Sequence, residues 1–129
     1  MGNGTSIGKV RGLGSAHEGP HHWLVQRFTA IGNLVLMLWL LGSFLLLPDL
    51  GYGTLASYFA KPVPAVAMIL LVLSLFWHAR IGLQVLIEDY VHTPGNKFAA
   101  LALLNLATIG GGAFGIFCVA RLALSGGAA

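Results

Sequence analysis

The sequence predicts an all-α membrane protein whose three transmembrane helices run up, down and up. Its composition is the first ground: charged residues make up 9% of the chain and hydrophobic ones 57%, whereas a globular chain carries about a quarter charged residues. The second is that three segments stay apolar over the roughly 20 residues a bilayer crossing requires. The third is that the joins between them are short and rich in turn residues, so successive spans return antiparallel.

A polar, glycine-rich segment, residues 1–26, opens the chain, and residues 27–129 form the three-helix membrane domain. The opening segment has no apolar core of the kind a cleavable signal carries, so the chain is expected to insert by its own spans. "MGNGTS" fits a myristoylation pattern, but a protein with three spans has no need of a lipid anchor. The first span is expected over 28–47, stopped by Pro48 and Asp49. "PDLGYGTLASYFAKPVP" joins it to the second, over 65–88, and "EDYVHTPGNK" joins that to the third, over 98–124. Pro94 and Gly95 in the second join read as a turn that extends neither helix.

Lys9, Arg11, Arg27 and Lys97 fall on one side of the membrane, and Lys61 and Arg121 on the other. The excess of positive charge on the first side puts the N-terminus in the cytoplasm and the C-terminus in the periplasm. The basic residues are scattered singly, without the basic run or interleaved aromatics of a nucleic-acid groove, so nucleic acid is excluded as a partner. Cys118 has no second cysteine to pair with and reads as a small core residue. Three helices make a thin bundle, and a charge inside one of them implies packing against a partner membrane subunit.

That charge lies in "FWHARIGLQVLIEDYVH". A histidine deep in a span is costly in hydrocarbon and marks a functional hypothesis. His78 has two readings, an interhelical hydrogen bond or an axial iron ligand, with Gly82 one turn on opening a slot for a porphyrin edge. Asp89 returns to within about 20° of His78 and about 16 Å along the axis. Arg80 points about 200° away, toward the opposite face, and no role is assigned to it. At the end of the span, Tyr90 offers a neutral hydroxyl donor and Asp89 can carry a proton, a pair suited to a quinone carbonyl. The alternative is an interfacial aromatic and a simple helix end. The start of span one and the end of span two share a membrane face, so Arg27 is expected to meet Asp89 and Tyr90 and stabilise negative charge there.

Elsewhere, structural roles are expected. Asn105 and Thr108 are placed to hydrogen-bond across helices, and Gly111 with Gly115 forms a small-residue pair for close helix approach. Trp23, Trp39, Trp77, Tyr52 and Tyr58 read as belt or packing residues. "HEGPH" satisfies H-E-x-x-H, but Gly19 and Pro20 inside it forbid the helix that zincin chemistry needs.

"HHWLVQRFTAIGN" entering the first span, with "HARIGLQVLIEDYV" closing the second, resembles the smaller hydrophobic anchor subunit, the D-type subunit, of bacterial succinate dehydrogenase, respiratory complex II. The resemblance runs from His21 to Tyr90 and rests on H-x-x-x-G-x-x-x-x-x-x-D-Y together with R-x-T-A; the third span agrees only as an apolar helix. It implies one haem b held by His78 and by a histidine of a second cytochrome b membrane anchor subunit. It implies Tyr90 as hydrogen-bond donor to the ubiquinone carbonyl with Asp89 beside it, and Arg27 near the quinone and the haem propionates. His21, or equally His22, takes the place of a cytoplasmic-edge histidine tied to proton access; the family varies at Arg80. A flavoprotein subunit would oxidise succinate and an iron-sulfur subunit would relay electrons, so this chain would perform no dehydrogenation. It would sit in the bacterial inner membrane and complete the quinone reduction site of the enzyme complex. A fumarate reductase anchor and a non-redox structural membrane subunit are the alternatives. A transporter has little support, with no repeat and no broken helix.

Overall fold

The structure, a computed structural model, describes residues 19–125. His17 and Glu18 of the H-E-x-x-H match, Lys9, Arg11 and the "MGNGTS" start lie outside the described residues. Four helices follow one another: α1 (Gly19–Leu46), α2 (Tyr52–Phe59), α3 (Pro62–Tyr90) and α4 (Pro94–Ser125). The helices α1, α3 and α4 are long and apolar enough to cross a membrane. At 1.5 Å per residue, their 28, 29 and 32 residues give lengths of roughly 42–48 Å, more than the hydrocarbon thickness of about 30 Å. Their ends therefore project into the headgroup zone.

All three long helices begin earlier than the apolar runs suggest. Each span opens on a proline, Pro20, Pro62 or Pro94, where the ring's fixed φ suits the first turn and its missing N–H would have had no partner. Pro94 is thus a helix start and not the turn expected of it. α3 shows the device in full: Lys61 caps it in an extended conformation, with proline in the first positions. It ends where Val91 turns extended, the Val91 N–H donating to the Ile87 carbonyl at 2.9 Å.

The expected first join contains the short helix α2. Its entry is fastened by Asp49, whose Oδ1 accepts the Gly51 N–H at 2.7 Å and the Thr54 hydroxyl at 2.8 Å. These two bonds hold the exposed Asp49 carboxyl below its usual range, the Gly51 bond contributing most. The α2 aromatics then tie it to the spans. Phe59 is buried, and Tyr58 donates to Ser43 Oγ at 2.7 Å while its ring stacks on Trp39.

α3 lies in the middle of the chain's architecture, packed on α4 most extensively and on α1 next, while α1 and α4 scarcely touch. The three spans form an open layer and not a closed bundle. The seam with α4 is close-packed: a Cβ on Gly111 would come within 2.6 Å of the Phe76 ring, and one on Gly115 within 3.0 Å of Val72. The expected small-residue pair is thus the contact that seats α4. Cys118, expected in the core, is exposed on α4, because this face of the helix turns away from α3. Almost none of the apolar surface of α1 is buried, and large side chains such as Phe28, Ile31 and Leu34 are exposed along it.

Candidate functional site

The antiparallel register of α1 against α3 positions the site. Thr29 lies against His78, Gln26 against Gly82, and Gly32 against Ser74, so each step back along α1 matches a step forward along α3. His78 is half-buried, with Nδ1 3.0 Å from Thr29 Oγ1. Its Nε2 has no polar partner among the described residues. The Thr29 hydroxyl donates to the Val25 carbonyl at 2.8 Å, the usual back-bond of a helical threonine. Ser74, one turn before His78, donates to the Thr29 carbonyl at 3.4 Å.

This contact belongs to a polar line that the sequence reading did not single out. Gln26, Thr29 and Asn33 recur at i, i+3 and i+7, the spacing of one helix face; Thr29 contacts Ser74 and His78, and Gln26 lies by Gly82. The Gln26 Oε1 and Asn33 Oδ1 atoms are buried without a hydrogen-bond partner. Gly82 faces the same helix, α1: a Cβ there would lie 3.7 Å from Gln26 Nε2, an ordinary contact distance.

Arg80 projects to the other side, as its helical angle predicts. Its Nε donates to Asn105 Oδ1 of α4 at 2.6 Å, and its guanidinium lies 5.5 Å from the centre of the Trp77 ring. Asn105 thus makes the interhelical bond expected of it, whereas Thr108 turns back to the Leu104 carbonyl of its own helix. Trp77 and Arg80 also line a cavity of about 150 Å³ with His21, His22, Val25, Ile81 and Gln84.

Arg27 does not meet Asp89 or Tyr90. The register sets it level with Arg80 and Ile81, which places it roughly 12–15 Å below the end of α3. Its guanidinium lies 5.4 Å from the centre of the Trp23 ring, and among the described residues it forms no ion pair with Asp89. The expectation fails because α1 starts at Gly19, which carries Arg27 two turns into the helix. His21 and His22 take the place nearer the end of α3. Asp89 and Tyr90 are exposed in the last turn, Tyr90 at 76%, and about 18 Å of helix separates Tyr90 from His78.

The family model described as succinate dehydrogenase/fumarate reductase transmembrane subunit matches residues 1–112. The chain belongs to that family. It is 36% identical over 108 residues to the succinate dehydrogenase hydrophobic membrane anchor subunit of Rickettsia bellii (strain RML369-C), covering 81% of this chain and 86% of that one. The protein of the same description from Paracoccus denitrificans is 30% identical over 117 residues, covering 89% and 88%. Together with three apolar helices, family membership makes this an all-α, multi-pass membrane protein. It also removes the ground for a transporter. The anchors of succinate dehydrogenase and fumarate reductase fall within the same family description.

Proposed function

We propose that this chain is the hydrophobic membrane anchor subunit of a bacterial succinate dehydrogenase, that it ligates a haem b through His78, and that it completes a ubiquinone site with Tyr90 and Asp89. The observation that carries the reading is the His78 imidazole, held at one nitrogen by Thr29 and bonded to no described residue at the other. Among the described residues no three His, Cys, Asp or Glu side chains gather to hold a metal ion. A single imidazole fits a metal that brings its own macrocycle and takes a second axial ligand from another chain. That second ligand is assigned to a partner cytochrome b anchor subunit, with flavoprotein and iron-sulfur subunits completing the enzyme. When bound, the haem supplies a one-electron store inside the bilayer.

Each of the other residues has a part that follows from its level. Tyr90, exposed in the headgroup zone, donates its hydroxyl proton in a hydrogen bond to the quinone carbonyl and polarises it. Asp89, on the adjoining face and open to water, holds the proton that the reduced quinone takes up. His21 and His22, in the first turn of α1 toward that end, give protons a way in from the cytoplasm, where the N-terminus lies. Arg27 sits half a turn from Thr29, and this level supports pairing with the haem carboxylates more than with the quinone.

Spectra and quinone kinetics of the purified complex test the reading. His78→Leu is expected to abolish or severely perturb the reduced b-type band. Tyr90→Phe is expected to leave that band intact and slow quinone reduction by about ten- to a hundredfold, the worth of one lost donor of about 1–3 kcal/mol. An unaltered haem in the His78→Leu complex would overturn the ligand assignment.

A further inference from the structure

We infer that Thr29 is a positioning residue for the iron ligand: its hydroxyl oxygen accepts the Nδ1–H of His78, fixing the tautomer in which Nε2 carries the free lone pair. The inference rests on the reading of His78 as an axial ligand and follows from counting protons at one oxygen.

A threonine hydroxyl has a single proton and two lone pairs. Thr29 Oγ1 has two backbone carbonyls on its own helix within reach, Val25 at 2.8 Å and Gln26 at 3.1 Å. Both are acceptors, and the back-bond to such a carbonyl is the usual use of a helical threonine's proton. With the proton there, His78 Nδ1 at 3.0 Å is the donor and carries the ring's proton. In neutral imidazole the other nitrogen is left as the acceptor, and the hydrogen bond made by one nitrogen decides what the other can ligate. Without that bond, Nδ1–H and Nε2–H forms would compete, and the Nε2–H form cannot bind iron through Nε2.

The same bond acts on the ring's orientation and its electrons. Accepting from Nδ1–H raises the basicity of the ligating nitrogen and holds the ring plane. A more basic ligand favours the oxidised iron. The threonine is itself held, by its back-bonds and by Ser74 Oγ donating to its carbonyl at 3.4 Å. Gly32 faces Ser74 at this level, where a Cβ would lie 3.7 Å from the Ser74 hydroxyl. The ligand is thus aimed by the helix that precedes it in the chain, across the α1–α3 seam.

The test uses the assembled complex in detergent, with a redox titration of the haem and the rate of haem transfer to excess apomyoglobin. Thr29→Val keeps the shape and removes the hydroxyl. It is expected to shift the midpoint potential to more positive values and to speed haem loss about tenfold, the lower end of what loss of such a supporting bond costs. Thr29→Ser keeps the hydroxyl and is expected to match the wild type in both readouts. Thr29→Ala, which adds no atom, carries the valine expectation should the valine variant not assemble. A wild-type potential and haem-loss rate in the variants lacking the hydroxyl overturns the inference, as does Thr29→Ser behaving like them. Those outcomes leave His78 untouched, whereas wild-type haem in His78→Leu removes the ligand reading itself.

Discussion

The two seams of α3 are built from opposite materials. Against α4 it packs Phe76 and Val72 onto a helix stripped of side chains at Gly111 and Gly115, and the contact there is close. Against α1 it sets Ser74 and His78 opposite Gln26, Thr29 and Asn33, with two buried carbonyl oxygens left without partners. In hydrocarbon, helices gain little from apolar contact with one another compared with contact with lipid, so association depends on close backbone approach or on hydrogen bonds. One helix here relies mainly on polar contacts toward α1, while toward α4 close backbone approach is joined by the Arg80–Asn105 bond between those helices. The close-packed seam seats α4; the polar one holds the His78 imidazole against Thr29.

That contrast can be broken most sharply at the close-packed seam. Gly111→Val puts a branched side chain where even a Cβ would lie within 2.6 Å of the Phe76 ring. It is expected to destabilise α4 docking by about 1–3 kcal/mol, the range for overpacking, read as a lowered thermal midpoint of the purified complex. A midpoint equal to wild type would mean that the seam is not close-packed in the membrane. A smaller effect is expected at the Arg80–Asn105 bond on this side. Asn105→Leu takes the acceptor from Arg80 Nε and is expected to cost about 1 kcal/mol, within the range for hydrogen bonds between membrane helices. If His78 holds a haem, its spectrum should stay unchanged, since Arg80 bonds to α4; an altered band would show that the two seams are coupled.

The smallest effect lies outside both seams. Asp49→Ala is expected to raise amide exchange at Gly51 while leaving the complex's thermal midpoint within error. With its folded value depressed, the Asp49 carboxylate contributes stability that is present above its unfolded value of about 3.9 and lost as pH falls through the lower folded value. Protection at Gly51, corrected for intrinsic exchange, should therefore hold from neutral pH down to about 4 and drop only below it. A loss of protection beginning at higher pH would assign the tie to another group.

Much of this was legible before any coordinates. Apolar runs that long have few alternatives, and His78 stands out as a titratable group inside an oily helix, Asp89 and Tyr90 as polar groups at its end. The starts of the helices were not legible in the same way. A proline reads as a break when only its effect inside a helix is considered, yet Pro20, Pro62 and Pro94 each begin one. The α2 helix was hidden by its 8 residues, too few to set a period between a Gly-rich entry and the "KPVP" exit. The spacing of Gln26, Thr29 and Asn33 was present to be found, as was the placing of Trp23 and Trp77 one turn before Arg27 and Arg80.

By itself the sequence determined the number of spans, their hydrophobic environment and the residues with chemistry to offer, because those depend on length, polarity and side-chain type. Only the tertiary structure decided which of them meet. Where α1 begins sets the register of two antiparallel helices, and that register brings Thr29 to His78 and keeps Arg27 from Asp89. A shift of one turn, 5.4 Å, exceeds the reach of any hydrogen bond, so the partnership follows from where one helix lies against another.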